Sequence, residues 1–251
     1  MSEVLTISIV GGFQRGKSSL VNALLGRNDA EMGRGLPTTH ENSLYSLSPA
    51  VSIIDTPGFN ATGEDDGTAA SAIDKSDVVV YVHESNQLGQ KYDEVFNRAL
   101  AARKKMVFLL NCLNFEKWSP DKNDDIVSTI EAELETKRLK PITIPLNDRI
   151  VTPINILWAR FGLGLIDSDS QEDARDIPKI RTYAEEYLDI SASGDALRAE
   201  MLARSGFLPI RDFLKNLPLE LLKHAAAHPE LEIERIVNRF AEEFRRRWSA
   251  A

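Results

Sequence analysis

Apolar residues in this chain cluster in short runs, separated by stretches in which they recur every three or four positions. Leu5 to Val10, Val51 to Ile54, Val78 to Val82, Met106 to Leu110 and Val151 to Leu157 are such runs, rich in Val, Ile and Leu. They predict strands buried on both faces. Lys17 to Leu25, Glu94 to Lys104 and Asp124 to Lys137 carry the helical spacing, and Gly26 is placed to end the first of them. Alternation of buried strands and helices predicts an α/β fold with a mainly parallel sheet and helices on both faces.

After Ala159 the pattern changes. Residues 160–205 hold no strong strand. "DSDSQEDARD" reads as a polar acidic loop, and most of the remainder reads as helix. Phe207 to Leu217 predicts a short amphipathic helix. Leu219 to Trp248 predicts further helix with a break at Pro229, and Ile233, Ile236, Val237, Phe240, Phe244 and Trp248 share one face. The run from Arg245 to Arg247 stands where basic residues complement the helix dipole. The expected organisation is one main domain over residues 1–217, with a helical insert at about 160–205, and a C-terminal helical extension over 218–251.

Composition adds exclusions. The chain has 251 residues, 43% hydrophobic and 27% charged, and a net charge of −8. That is an ordinary globular balance. The acidic surface argues against nucleic acid as a partner, and against charge-driven binding to anionic membranes. Cys112 is the single cysteine, so no disulfide framework forms within the chain. Glu3 and the lack of a basic leader in "MSEVLTISIV" give no targeting signal. No apolar run approaches the ~20 residues of a membrane span. The expected location is the cytoplasm, with a membrane surface left open.

"GGFQRGKS", from Gly11 to Ser18, carries the chemistry. G-x-x-x-x-G-K-S after a strand and opening a helix is a phosphate-binding loop, so the fold expected is of the P-loop NTPase type. Glycines let the backbone turn around the phosphates with its N–H groups inward. Lys17 reaches the β- and γ-phosphates, and the Ser18 hydroxyl binds Mg²⁺. The residues expected around the nucleotide here are Gly11, Phe13, Gln14, Arg15, Gly16, Lys17, Ser18 and Ser19. "IIDTPG" is the second element. Asp55 ends an apolar strand, from which its carboxylate approaches the Mg²⁺ shell, and Gly58 offers its N–H to a γ-phosphate. In the intervening "GRGLPTTHENS", Thr39 is the first choice, and Thr38 the second, for a residue that closes over the γ-phosphate and ligates Mg²⁺. The expected metal set is thus Ser18, Thr39 and Asp55.

"GGFQRGKSSLVNALLG", "LPTT" and "DTPGF" together resemble the GTPase domain of bacterial dynamin-like proteins, within the translation-factor-like GTPase class. "VVVYVHESNQLGQKYDEVF" is similar to the strand and polar loop after that family's second switch, and "LARSGFLPIRDFL" to the domain's last helix. "PINILWAR" resembles the strand with the fifth guanine-nucleotide motif, with Trp158-Ala159 where Ser-Ala is usual. The resemblance implies a Mg²⁺-dependent GTPase converting GTP to GDP, with nucleotide-dependent homodimer formation and conformational work, often at membranes.

The chain departs from that family in two places. About 34 residues follow Leu217, where the family carries long helical stalks. A stand-alone switch, or a subunit that docks on a larger partner through its C-terminal helix, is the corresponding expectation. The guanine-reading N-K-x-D motif is represented by Asn111-Cys112-Leu113-Asn114. Asn111 is kept, while Asn114 replaces the carboxylate that pairs with guanine. Loss of that charge-assisted pair costs roughly 1.5–3 kcal/mol of base discrimination. Lys117 or Trp118 of "NFEKW" could substitute, although plain loop residues are the simpler reading. Phe59 stands where a water-orienting glutamine occurs in Ras-type relatives, so the expected catalytic groups are Gln14, Arg15, Lys17, Thr39 and the Gly58 backbone.

His40, His83, His224 and His228 lack metal-ligand spacing. Glu64-Asp65-Asp66 reads as a mobile switch loop. Two further readings stay open: a nucleotide-binding regulatory subunit without turnover, and an ATP-binding P-loop protein of another class.

Overall fold

The computed structural model describes residues 4–12, 14–30, 43–57, 63–84, 90–102, 104–112, 120–136, 143–146, 149–166, 176–188, 190–219 and 221. Six strands form one sheet: β1 (Leu5–Val10), β2 (Ser43–Ser48), β3 (Val51–Asp55), β4 (Val78–Glu84), β5 (Lys105–Asn111) and β6 (Val151–Ile154). The order is β2-β3-β1-β4-β5-β6. Only the β2–β3 pair is antiparallel. Eight helices are described: α1 (Lys17–Leu25), α2 (Gly63–Lys75), α3 (Gln90–Ala101), α4 (Pro120–Thr136), α5 (Ile156–Gly162), α6 (Asp176–Leu188), α7 (Gly194–Arg204) and α8 (Phe207–Lys215). This is the mainly parallel, two-faced P-loop NTPase-type fold expected.

Strand alternation sorts side chains into two cores. Ile7, Ile9, Val78, Val80, Val82, Val107 and Leu109 join Leu20 and Leu24 of α1, Ile156 and Ala159 of α5, and Phe207, Ile210 and Leu214 of α8. Val10, Val79, Tyr81, Met106, Phe108 and Leu110 face Ala69 and Ile73 of α2, Val95 and Ala99 of α3, and Val127, Ile130 and Leu134 of α4. A third, smaller core lies on the outer side of α5. There Trp158 and Phe161 pack with Ile180 and Ala184 of α6, Ile190, and Leu197 and Met201 of α7. The helical region after Ala159 therefore has a core of its own, built on α5.

Three local expectations change. The run from Val151 to Leu157 is not one strand: β6 ends at Ile154, and Asn155 caps α5, its side chain accepting the Trp158 N–H. A side-chain acceptor at the N-cap satisfies an otherwise orphaned donor, so the apolar residues beyond it become helix. Glu64-Asp65-Asp66 lie in the first turn of α2 rather than in a loop, where carboxylates are favoured by the helix dipole. β2 was not expected: "SLYSLS" alternates Tyr45 and Leu47 against the core with exposed Leu44 and Ser46. The helices from Leu219 onward expected in the tail, and the histidines at 40, 224 and 228, lie outside the described residues apart from Leu219 and Leu221.

α1 begins and ends on glycines held in the left-handed region, Gly16 (φ 91°) and Gly26 (φ 70°). The Gly26 N–H donates to Ala23 C=O, closing the last turn. Within α1 the fully buried Asn22 grips the backbone of Ala30 from both sides, its amide donating to Ala30 C=O (2.9 Å) and accepting from Ala30 N–H (2.7 Å). That clamp fixes the chain where it leaves α1 for residues 31–42.

Candidate GTP-binding site

β1 delivers the chain to the phosphate loop at the carboxyl end of the sheet, between its neighbours β3 and β4. Gly11 has no room for a side chain: a Cβ there would lie 2.3 Å from Val82 C=O. At Gly16 a Cβ would lie 2.9 Å from Asn111 Nδ2 and 3.3 Å from Ile156 Cδ1. Gln14, exposed at the crest, takes a left-handed conformation (φ 58°) despite its side chain. Non-glycine residues held there cost free energy and concentrate at functional sites. The Arg15 stem runs back over the loop, its Cγ and Nε 3.4 Å from where a Cβ on Gly12 would stand.

Lys17 and Asp55 meet at the head of α1. Both are almost fully buried. Lys17 Nζ donates to Gly12 C=O at 3.0 Å. Burial pushes its pKa down from 10.5 to about 8; the Asp55 charge raises it, and nearby Arg15 lowers it further. Burial pushes Asp55 up from 3.8 to about 6, against the downward pull of a Ser18 side-chain hydrogen bond, of Lys17 and of the Thr56 backbone. Asp55 Oδ1 is buried with no hydrogen-bond partner. A buried carboxylate oxygen without a donor, beside a serine hydroxyl and facing a phosphate loop, suits a hard divalent cation that keeps much of its water and takes few protein ligands. Ser18 and Asp55 therefore fit Mg²⁺. Thr56 locks this corner, its hydroxyl donating to Ile9 C=O at 2.8 Å.

These shifts predict how the ligand-free protein responds to pH. Asp55 has a raised folded pKa, so the stability from its proton is full below 3.8 and is lost as pH rises through about 6. Lys17 has a depressed one, so its contribution is present above 10.5 and is lost as pH falls through about 8. Between 6 and 8 the empty site holds both charges, each at a cost of about 3 kcal/mol. Asp55→Asn should stabilise the ligand-free protein by a margin that opens between pH 4 and 6.5 in urea denaturation. A margin constant with pH would show that Asp55 titrates like an exposed carboxylate.

The other half of the site is built by β5 and β6. Asn111, fully buried at the end of β5, donates from Nδ2 to Arg15 C=O (3.1 Å) and accepts at Oδ1 from Ile156 N–H (3.2 Å). It straps the phosphate loop to the start of α5. Asn155 donates to Cys112 C=O at 2.9 Å. Cys112, where the family resemblance places a base-packing lysine, instead points into the core, and burial raises its thiol to about 12. Trp158 and Ala159, expected beside the nucleotide, are fully buried inside α5 and pack in the cores. At this edge Asn155 bonds to Cys112 and Ile156 to Asn111. Phe13, Thr38, Thr39, Gly58, Phe59, Asn114, Lys117 and Trp118 lie outside the described residues. Among the described residues no group of three or more His, Cys, Asp or Glu forms a metal cluster.

Residues 6–112 match the family model described as 50S ribosome-binding GTPase. Among solved structures, Era from Aquifex aeolicus bound to GDP·AlF₄⁻ is 21% identical, with 61% of this chain and 52% of that one covered and a TM-score of 0.49. A bacterial selenocysteine-specific elongation factor EF-Sec is 15% identical over 70% of this chain and 29% of that one, with a TM-score of 0.48. The chain spans about half the length of the Era chains it matches. No curated protein matches it. The matched family is that of ribosome-binding GTPases, and the dynamin-type resemblance gains nothing from it. A phosphate loop opening α1, a buried carboxylate at the end of β3 and the GTPase-family match over residues 6–112 agree in pointing to a P-loop GTPase-type α/β fold.

Proposed function

We propose that the protein is a Mg²⁺-dependent GTPase that works as a conformational switch. The observation that carries this reading is the buried Lys17–Asp55 pair with its unpartnered carboxylate oxygen. Two opposite charges in so dry a site are costly on their own, and a nucleotide phosphate with its metal would complete both. Lys17 supplies positive charge to the transferred phosphoryl group, where positioning and electrostatics do most of the catalytic work. Ser18 and Asp55 hold Mg²⁺, which when bound neutralises the phosphate oxygens. Thr39 and the Gly58 backbone are proposed to sense the γ-phosphate, and Gln14 and Arg15 to approach it from the loop crest. Arg15 acts in the same chain or across a nucleotide-dependent homodimer of the dynamin type.

Base selectivity is proposed to be weak for a GTPase. Cys112 turns away from the site, which leaves Asn114 and the backbone of residues 154–156 to read the base. The partner is a guanine nucleotide. The charge of −8 favours a protein partner over nucleic acid, and the cytoplasm is the proposed location.

Turnover and binding of GTP, ATP and XTP, with Mg²⁺ and with chelator, at several protein concentrations, test this. The expected result is Mg²⁺-dependent GTP hydrolysis, with GTP preferred over ATP by only about one to two powers of ten. A rate per molecule that rises with concentration supports pairing, and a flat rate removes it. Binding without turnover would favour the regulatory reading. Absence of nucleotide binding would overturn the function altogether.

A further inference from the structure

The corner between α7 and α8 lies against the nucleotide site from outside. Ser205 is fully buried, and its C=O accepts the Asn155 N–H at 2.8 Å. Its Oγ donates to Leu202 C=O (2.6 Å) and accepts from Phe207 N–H (3.2 Å), which fixes the corner's shape. Gly206 follows in the left-handed region (φ 72°), and a Cβ there would lie 2.8 Å from Pro153 C=O. The corner thus presses backbone to backbone on the last turn of chain before α5.

From that contact the hydrogen bonds run on without a gap. Asn155 donates its N–H to Ser205 C=O and its side-chain amide to Cys112 C=O. Ile156 N–H donates to Asn111, and Asn111 donates to Arg15 C=O in the phosphate loop. The phosphate loop has a second anchor of its own, since Lys17 holds Gly12, and Thr56 holds Ile9 in β1 just before the loop. A nucleoside attached to phosphates on that loop must lie beyond the carboxyl ends of β5 and β6, the crevice ligands occupy in open parallel sheets. The corner therefore bears directly on the nucleoside side of the site, and reaches the phosphate side only through Asn111.

We propose that Ser205 and Gly206 are positioning residues for the nucleoside: they set the backbone of residues 153–156, so that affinity for the base and sugar depends on residues that do not touch them. This rests on the nucleotide-binding reading above. It also makes the small α6–α7 core a lever on nucleotide affinity, since α7 ends at this corner.

The test compares two ligands on the full chain, Mg²⁺·GDP and Mg²⁺ with inorganic tripolyphosphate, by titration calorimetry. Gly206→Ala should weaken GDP about tenfold and leave tripolyphosphate within about twofold. Ser205→Ala, which loses only the two Oγ bonds, should weaken GDP about threefold in the same selective way, and it carries the test if Gly206→Ala does not fold. Phe207→Leu, a buried change in the next residue, should lower the melting temperature and leave the ratio of the two affinities unchanged. Parallel loss of both ligands in the two corner variants, or no loss of either, would overturn the proposal. An unaltered chain that binds neither ligand would instead refute the nucleotide reading on which it stands.

Discussion

Lys17→Ala abolishes measurable nucleotide binding while leaving the ligand-free protein at least as stable as before. The two halves of that result have one cause. Burial depresses the Lys17 pKa to about 8, so at neutral pH its ammonium is held against a desolvation cost that Asp55 and the Gly12 carbonyl offset only in part. Alanine removes a cost of about 3 kcal/mol and adds a small cavity of similar or lesser cost. Bound phosphate reverses the balance. Lys17 then makes charge-assisted bonds worth roughly 1.5–3 kcal/mol each, and two such bonds amount to at least about two powers of ten in affinity. Loss of the ammonium also leaves Asp55 with a stronger hold on its proton, which weakens Mg²⁺ binding at the same corner. Calorimetric titration with Mg²⁺·GDP and thermal melting without ligand measure the two halves. Undiminished binding would remove Lys17 from the phosphate site. Lost binding with a falling melting temperature would make Lys17 a structural residue first.

What could be read from the chain alone follows from how local each feature is. The phosphate loop lies within eight consecutive residues, and its position after one buried strand and before one helix is part of the motif, so Gly11 to Ser18 could be placed without tertiary information. β4 and β5 are buried strands marked by unbroken apolar runs, and β1 by a run rich in β-branched residues. β2 covers one edge and buries one face, and its Ser-Leu-Tyr-Ser alternation is too weak to distinguish from a loop. Asn155 shows the opposite error. A single polar residue inside "PINILWAR" ends a strand and caps a helix, and hydrophobicity reads straight through it. The helix that begins there carries Trp158 and Ala159, expected beside the nucleotide, in fully buried positions. The backbone approach of Gly206 to Pro153 joins residues 53 positions apart, and no sequence pattern announces it.

Asn111 offers the more discriminating test, because its role is defined by chemistry that only an amide performs. One planar group, itself fully buried, donates to Arg15 C=O and accepts from Ile156 N–H. Asn111→Ala leaves both partners unsatisfied, at about 1–3 kcal/mol apiece. The strap between phosphate loop and α5 is cut, and GDP affinity should fall about a hundredfold. Asn111→Asp keeps the acceptor but sets a carboxylate oxygen against the Arg15 carbonyl, and at neutral pH the buried charge should make it at least as damaging as alanine. Protonation changes that. A neutral carboxylic acid again has one donor and one acceptor, and burial raises its pKa into an accessible range. Because Asp55 must be ionised to hold Mg²⁺, GDP binding by the unaltered protein also weakens below about pH 6. The informative quantity is therefore the ratio of the variant's dissociation constant to that of the unaltered protein at each pH. For Asn111→Asp this ratio should shrink between pH 8 and pH 5, while for Asn111→Ala it should stay constant. A ratio that is flat for both variants would mean that Asn111 merely fills space between the phosphate loop and α5, and that the loop keeps its shape without the strap.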